Sequence, residues 1–282
     1  RPGRAFAAYS AGCRMKPHRP LSRQVYAGGL MTTGARHLPA EVAVALSFNG
    51  TTQAVMMATP ADLSDFALGF AISEGIATKD EITSIEVVEA AQGIDVQTWL
   101  APAAEARLVA RRRTMAGPVG CGLCGVDSIA EALRDVPRVT ADLHLTPAQV
   151  CDAVAALPAH QTLHDTTRAA HAAAYWVPGR GVVAAREDVG RHNALDKLIG
   201  ALTVAPVATG AVVMTSRVSI DLVQKVAMLG APVLIAVSAP TAQAVELADA
   251  AGITLIALAR PDRFEVFTHP DRISNQKAAH VA

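Results

Sequence analysis

Apolar and polar positions alternate from Val42 through Val44, Leu46 and Phe48, the period-two pattern of a strand with one buried face. Asn49-Gly50 follows, a strong hairpin signal, and residues 51–58 read as the returning strand. Thr59-Pro60 predicts a helix with Pro60 in its first position, an apolar stripe of Leu63, Phe66, Ala67 and Phe70, and a stop at Gly75. A second strand pair is expected over residues 85–89 and 94–100, turning near Gln92-Gly93. Residues 1–38 have weak periodicity and many Arg, Gly and Pro, and read as a mobile tail.

After residue 137 the pattern changes. Thr146-Pro147 opens a helix with Val150, Cys151, Val154 and Leu157 inward. Residues 169–177 read as a strand, Pro178-Gly179-Arg180-Gly181 as a turn and residues 182–185 as the return. Helices over 194–202, 219–229 and 241–251 then alternate with short apolar runs over 211–215, 232–237 and 254–259. Such runs joined by helices predict parallel strands with helical crossovers. Residues 264–268 form a last short strand. The predicted class is α/β. Its parts are the tail (1–38), a smaller α+β portion (39–140), a domain with a mainly parallel sheet and flanking helices (141–275), and a C-terminal tail (276–282).

The chain has 282 residues, 51% hydrophobic and 4% aromatic, enough for one large core or two small ones. Its 25 Lys and Arg balance 25 Asp and Glu, so no global positive field gathers nucleic acid or an anionic membrane. An anionic ligand must be held by a local cluster. The basic N-terminus lacks the apolar core of a secretory signal. The nearest approach to a membrane span, residues 204–214, is short and interrupted by Pro206 and Gly210. Four cysteines, Cys13, Cys121, Cys124 and Cys151, include one close pair, so they make no disulfide framework. A cytoplasmic, reducing setting is expected.

That close pair lies in Gly120-Cys121-Gly122-Leu123-Cys124-Gly125, after Arg111-Arg112-Arg113 and before a helix start where Ser128 and Glu131 have capping-box spacing. A helix N-terminus favours a thiolate over a thiol. The glycines let a bulky substrate or a partner's cysteine approach, which buried structural thiols would not require. At the ends of the predicted parallel strands, where open sheets bind ligands, stand Ser216-Arg217 and Ser238-Ala239-Pro240-Thr241. Their hydroxyls and free N–H groups suit phosphate; for Thr241, ordinary helix capping is the better account. In Arg186-Glu187-Asp188-Val189-Gly190-Arg191-His192-Asn193 two readings stand side by side. Arg191 and His192 can hold an anion, with Asp188 accepting from an amino group; equally, a buried ion-pair network fixes the next helix. His171, among alanines in a strand, reads as a satisfied core residue. Phe264-Glu265-Val266-Phe267-Thr268-His269-Pro270 can stack a planar ring or serve as a half-buried edge strand.

The chain has no G-x-x-x-x-G-K-[ST] and no H-x-E to accompany its C-x-x-C. Zinc would need two ligands besides Cys121 and Cys124, so no tightly held metal is expected.

From about residue 41 to 273 the chain resembles the formate dehydrogenase accessory sulfurtransferases, the FdhD family. The resemblance rests on A-L-G-F-A-I-S-E-G-I (67–76), C-G-L-C-G (121–125), H-A-A-A (171–174), E-D-V-G-R-H-N-A-L-D-K (187–197), S-R-V-S (216–219), S-A-P-T (238–241) and F-E-V-F-T-H-P-D-R-I (264–273), in this order. It implies a larger domain like the cytidine deaminases without their zinc site, a smaller portion carrying the C-x-x-C loop, and a homodimer. It also implies a sulfurtransferase: a cysteine desulfurase places sulfane sulfur on Cys121 as a persulfide, with Cys124 as partner. That sulfur passes to the bis-guanine-dinucleotide form of the molybdenum cofactor, needed by formate dehydrogenase. By the same resemblance Phe264, Glu265, Val266, Phe267, Thr268 and His269 contact this cofactor; its phosphates suit Arg217, Arg191 and the helix N-termini, with Ser238 at a neighbouring strand end. Two positions depart from the family pattern: Thr167-Arg168-Ala169-Ala170 stands where Thr-Gly-Gly is usual, and Phe267 where many relatives have Tyr. The competing readings are a thiol–disulfide oxidoreductase using the same pair and a non-catalytic cofactor-delivery chaperone.

Overall fold

The computed structural model describes residues 15–115, 135–204 and 207–274, with side chains from 110 to 115 excepted. Cys13, Cys121, Cys124, the side chains of the arginines at 111–113 and the helix expected at Ser128 lie outside what it describes. Strands β1 (His18–Ala27) and β2 (Leu30–Pro39) pair as an antiparallel hairpin turning through Gly28 and Gly29, both at positive φ. The stretch expected as a tail therefore carries two ten-residue strands. Both faces of the hairpin are largely solvent-exposed, including Tyr26 and Leu30 at its tip, so no buried period-two pattern announces it.

The next unit is a four-stranded sheet of β3 (Val42–Phe48), β4 (Thr51–Ala58), β5 (Ile82–Ala90) and β6 (Gly93–Leu100), in the order β4-β3-β6-β5. Two hairpins, each antiparallel, meet through the parallel pair β3–β6. The alternation seen in the sequence puts Val44, Leu46, Phe48, Ile94 and Val96 on the buried face, against α1 (Leu63–Ser73). This helix begins three residues after the expected Pro60, behind Asp62 in the left-handed region. Thr59 is engaged elsewhere: its N–H donates to Asp188 Oδ2 (3.0 Å) and its hydroxyl accepts from the Val189 N–H (3.2 Å). Helix α2 (Pro102–Met115) leaves β6 towards the cysteine-bearing segment.

The second sheet is built from β7 (His171–Val177), β8 (Gly181–Asp188), β9 (Ala211–Met214), β10 (Val233–Ala236), β11 (Thr254–Arg260) and β12 (Arg263–Val266), in the order β12-β11-β10-β9-β7-β8. Only β9–β10 and β10–β11 pair in parallel; β7 runs antiparallel to both β8 and β9, and β12 antiparallel to β11. The expected mainly parallel sheet is thus a mixed one. A tight turn between β7 and β8 can join only antiparallel neighbours, whereas β9, β10 and β11 are linked by crossover helices. Preceding the sheet are α3 (Pro147–Ala156), opened by a Thr146–Gln149 capping box as predicted, and the short α4 (Thr162–Thr167). Between strands lie α5 (Arg191–Thr203), α6 (Ile220–Leu229) and α7 (Ala242–Ala250). Leu195, Leu198, Leu222, Val223, Ala244 and Ala248 from these three helices cover one face of the sheet. Val150, Ala153 and Val154 of α3 cover the other. All-buried strands such as Val212, Val213 and Met214 follow from this double cover.

The two sheets are joined through α1 and α5. Gly69 lies against the Asp196 carbonyl and Gly200 against the Asp65 carbonyl; a Cβ at either glycine would collide with backbone. This close approach is surrounded by buried charges. Lys197, fully buried, donates to Asp188 Oδ2 (2.6 Å) and to the Thr59 carbonyl (2.9 Å). Lys225 donates to Asp196 (2.9 and 3.0 Å), Glu74 (2.7 Å) and the Ser73 hydroxyl (3.0 Å). Burial works against the Lys225 charge, but Asp196 and Glu74 outweigh it and hold its pKa above the ordinary 10.5.

Candidate functional site

The carboxyl ends of β8, β9, β10 and β11 share one rim of the six-stranded sheet, and β7, running the other way, starts there. Strand pairing therefore assembles His171, the Asp188-to-His192 turn, Thr215-Ser216-Arg217 and Ser238 along one edge. Arg217 is exposed and no described residue accepts a hydrogen bond from it, while the Ser216 hydroxyl is turned onto the Arg217 carbonyl (2.9 Å). Ser238 is half-buried and its carbonyl accepts from the Leu258 N–H (3.3 Å). Leu258 holds φ at +51°, a left-handed conformation unfavourable to a branched side chain, beside the Ser238 loop. Thr241 caps α7 by accepting from the Ala244 N–H (3.3 Å), ordinary helix capping.

The charged loop at 186–193 divides between its two readings. Arg186 is clamped on Asp65 Oδ2 by Nε (2.9 Å) and Nη2 (2.7 Å), with Asp62 3.7 Å from Nε. Asp188 is wholly buried and saturated: it accepts from Lys197, the Thr59 and Gly190 N–H groups and the Asn193 amide. Glu187 caps α4, accepting from the N–H groups of Leu163 (2.7 Å) and His164 (2.8 Å). Asp188 belongs to the buried network, Arg186 ties β8 to the start of α1, and Glu187 serves the cap of α4. His192 and Arg191 take part in none of these. His192 Nε2 lies 2.6 Å from Asp221 Oδ2 on the first turn of α6. That contact keeps the Asp221 carboxyl well below the usual carboxylate range.

His171 was expected as a core residue and is instead half-buried at the rim. Its Nδ1 is 3.3 Å from the Thr215 hydroxyl, which also accepts from the Ala172 N–H (3.0 Å). Burial lowers its pKa, and the charge of Arg191 lowers it further, with smaller contributions from His164 and His192. The sequence signal that could have marked His171 is its position as first residue of a strand antiparallel to β9. The pairing places it opposite the polar exit of β9, and it was invisible while the sheet was read as parallel.

The Phe264-to-His269 stretch starts at this rim and leaves it. β12 runs antiparallel to β11, so successive residues move away from the carboxyl ends by about 3.3 Å each. Phe264 is half-buried on the sheet face that α3 covers, Glu265 is exposed and Val266 half-buried. Phe267 is 38% exposed and its N–H donates to the Leu255 carbonyl. Thr268 is buried, its hydroxyl accepting from the Leu255 N–H and donating to the Ile253 carbonyl, both at 2.7 Å. His269 has φ of +46° and its Nε2 is 3.1 Å from the Asp249 carbonyl. The structure thus brings Arg217 and Ser238 together with His171, Arg191 and His192, and sets Thr268 and His269 at the opposite end of β11. Arg168, at φ +60°, terminates α4 in the left-handed region where glycine is favoured, and its guanidinium pairs with Asp165 (3.2 Å) on the surface. Among the described residues no group of three His, Cys, Asp or Glu side chains could hold a metal ion, and no helix is long and apolar enough to cross a membrane.

A mixed sheet with helices on both faces, joined through a glycine-lined helix contact to a smaller sheet unit, has a close counterpart among solved structures. A crystal structure described as that of a formate dehydrogenase accessory protein from Desulfotalea psychrophila superimposes with a TM-score of 0.72 at 26% identity, covering 92% of this chain and 100% of that one. Residues 39–274 match the FdhD/NarQ family, and the chain belongs to that family. Curated relatives include the sulfur carrier protein FdhD of Agrobacterium fabrum, 54% identical over 91% of this chain and 96% of its own length. That of Brucella abortus is 53% identical over 85% of this chain and 90% of its own.

Proposed function

We propose that this protein is a sulfur carrier that matures formate dehydrogenase through a persulfide on Cys121. The observation that carries the reading is the glycine-walled Cys121–Cys124 pair in a chain 54% identical to a protein named as a sulfur carrier. In the loading step the Cys121 thiolate attacks the outer sulfur of a desulfurase persulfide. A new S–S bond forms on Cys121, the donor's S–S bond breaks, and the donor cysteine leaves as thiolate. For delivery, Cys124 attacks the Cys121 sulfur and displaces the outer atom as hydrosulfide. The resulting Cys121–Cys124 disulfide is reopened by a dithiol reductant. The acceptor is the molybdenum centre of the bis-guanine-dinucleotide cofactor, here a substrate, whose phosphates and guanines suit the rim of cations and hydroxyls around Arg217 and Ser238. Phe264 stands at the same rim as a flanking ring. The larger sheet unit is read as deaminase-like without the zinc site, and the working form as a cytoplasmic homodimer meeting a cysteine desulfurase and formate dehydrogenase in turn.

Intact mass after incubation with a cysteine desulfurase and cysteine tests this reading. The wild-type chain should gain about one sulfur atom, removable by reductant, and Cys121→Ser should gain none. Full loading of Cys121→Ser would overturn the assignment. A thiol–disulfide oxidoreductase would cycle the pair without acquiring sulfur.

A further inference from the structure

The chain as a whole has no net charge, but its charges are divided. Residues 1–40 hold seven of the 25 Lys and Arg and none of the 25 Asp and Glu, which leaves the rest of the chain acidic. Among the described residues this basic stretch is mainly the β1–β2 hairpin, which contributes nothing to the buried cores. It is tied down near its base, where Arg36 Nη2 donates to the Thr167 carbonyl (3.5 Å) at the end of α4. The register puts Arg19, Arg23, Arg36 and Leu30 on one face, Tyr26 and Met31 on the other. Apolar side chains are sorted by height rather than by face. Tyr26, Leu30 and Met31 are 71%, 70% and 60% exposed and flank the Gly28-Gly29 turn on both faces, against 41% and 36% for Leu21 and Leu38 lower down. From Val25 to Met31 no residue carries a charge. Behind them stand Gln24, Thr32 and Thr33, and then Arg23. Neither Arg19 nor Arg23 pairs with a carboxylate among the described residues. A hairpin that lies flat on another protein gathers its apolar residues on one face. A tip apolar on both faces, backed by hydroxyls and then by cations, has the layering of a segment that enters a lipid surface end on.

We propose that the β1–β2 tip inserts into the interface of an anionic phospholipid bilayer. Tyr26, Leu30 and Met31 reach the acyl boundary, Gln24, Thr32 and Thr33 lie among the headgroups, and Arg23 with the cations behind it meets the lipid phosphates. Insertion is shallow, about 5–10 Å, or roughly two to three residues of each strand. The outer N–H and C=O groups of a two-stranded hairpin have no partner strand and must stay within reach of water. Ten residues of strand span about 33 Å, several times the Debye length of about 8 Å in physiological salt. The acidic remainder of the chain is therefore held where the surface does not repel it. The proposal goes beyond the sulfur-carrier reading and does not depend on it.

The test is co-sedimentation of the full chain with vesicles. Wild-type protein should pellet with vesicles of phosphatidylglycerol and phosphatidylcholine. It should bind phosphatidylcholine alone about tenfold more weakly, and the mixed vesicles less as salt rises. Leu30→Asp should bind the mixed vesicles about tenfold more weakly, yet melt with the wild type, because Leu30 meets no core. Arg23→Glu should weaken binding and flatten its dependence on salt. Leu30→Trp should keep binding, and its added fluorescence should shift to the blue on vesicles. Undiminished binding by Leu30→Asp would overturn the proposal, as would a wild-type chain indifferent to phosphatidylglycerol. A smaller molecular mass for Leu30→Asp than for the wild type in lipid-free solution would assign the tip to a second copy of the chain and overturn it too. Sulfur loading in solution keeps the two readings apart: Leu30→Asp should load as the wild type does. Lost loading would place the tip against the sulfur donor instead of a bilayer.

Discussion

Two sets of charges lie on and beside α5, and they differ in who satisfies them. On the inward side Asp188, Lys197, Asp196, Lys225 and Glu74 are buried or nearly so and close on one another, tying the four-stranded unit to the six-stranded one. On the rim, Arg191 and Arg217 have no protein partner among the described residues. The inward set shows how this fold treats a charge it uses for itself: it supplies every oxygen the ammonium can reach. A cation left unserved one or two turns away is therefore a place for something that arrives.

Breaking the inward set should cost most. Lys197→Met leaves Asp188 buried without its counter-ion, and unfolding in urea should show a loss of about 3–5 kcal/mol. A loss below about 1 kcal/mol would mean that water reaches Asp188 and that the network is not closed. Next is the glycine contact that holds α1 against α5. Gly200→Ala drives a methyl into the Asp65 carbonyl and should cost about 1–3 kcal/mol in the same experiment.

Part of the fold was legible before the structure, and the boundary of legibility has physical causes. Strands β3 to β6 and the crossovers α6 and α7 announce themselves because each buries one face or alternates with a helix of fixed length. The β1–β2 hairpin does not, because neither face meets a core. The hairpin of β7 with β8 was legible from its turn, but the pairing of β7 with β9 was not: Ala172, Ala173, Ala174, Tyr175 and Trp176 are buried on both faces, and such a run looks the same whichever way it is paired. In the site, Arg217 and Ser238 were visible as polar residues after apolar runs. The division of 186–193 was not, since it depends on Asp65, reaching Arg186, and Thr59, reaching Asp188 across 129 positions.

A smaller effect marks the approach to the cysteine segment. Glu81 accepts two hydrogen bonds from Arg107 of α2 (2.8 and 2.9 Å). The pairing with Arg107, and then the Thr78 N–H, lowers its pKa from 4.5 to about 2. A carboxyl whose folded pKa is depressed contributes stability that is present above its unfolded value and lost as pH falls towards the folded one. Acid titration of the melting temperature should therefore show a loss between pH 4.5 and about 2 that is shallower in Glu81→Gln. Identical acid limbs would remove this pair from the account. The smallest effect sharpens the comparison most: Arg191→Ala should change stability by less than about 0.5 kcal/mol in urea, against the several lost at Lys197.

The central claim, that Cys121 carries sulfur to formate dehydrogenase, is met most directly by complementation. In a host lacking its own family member, the wild-type chain should restore formate oxidation and Cys121→Ser, expressed to the same level, should restore none. Formate oxidation restored by Cys121→Ser would contradict the claim and leave the protein a carrier of the cofactor alone.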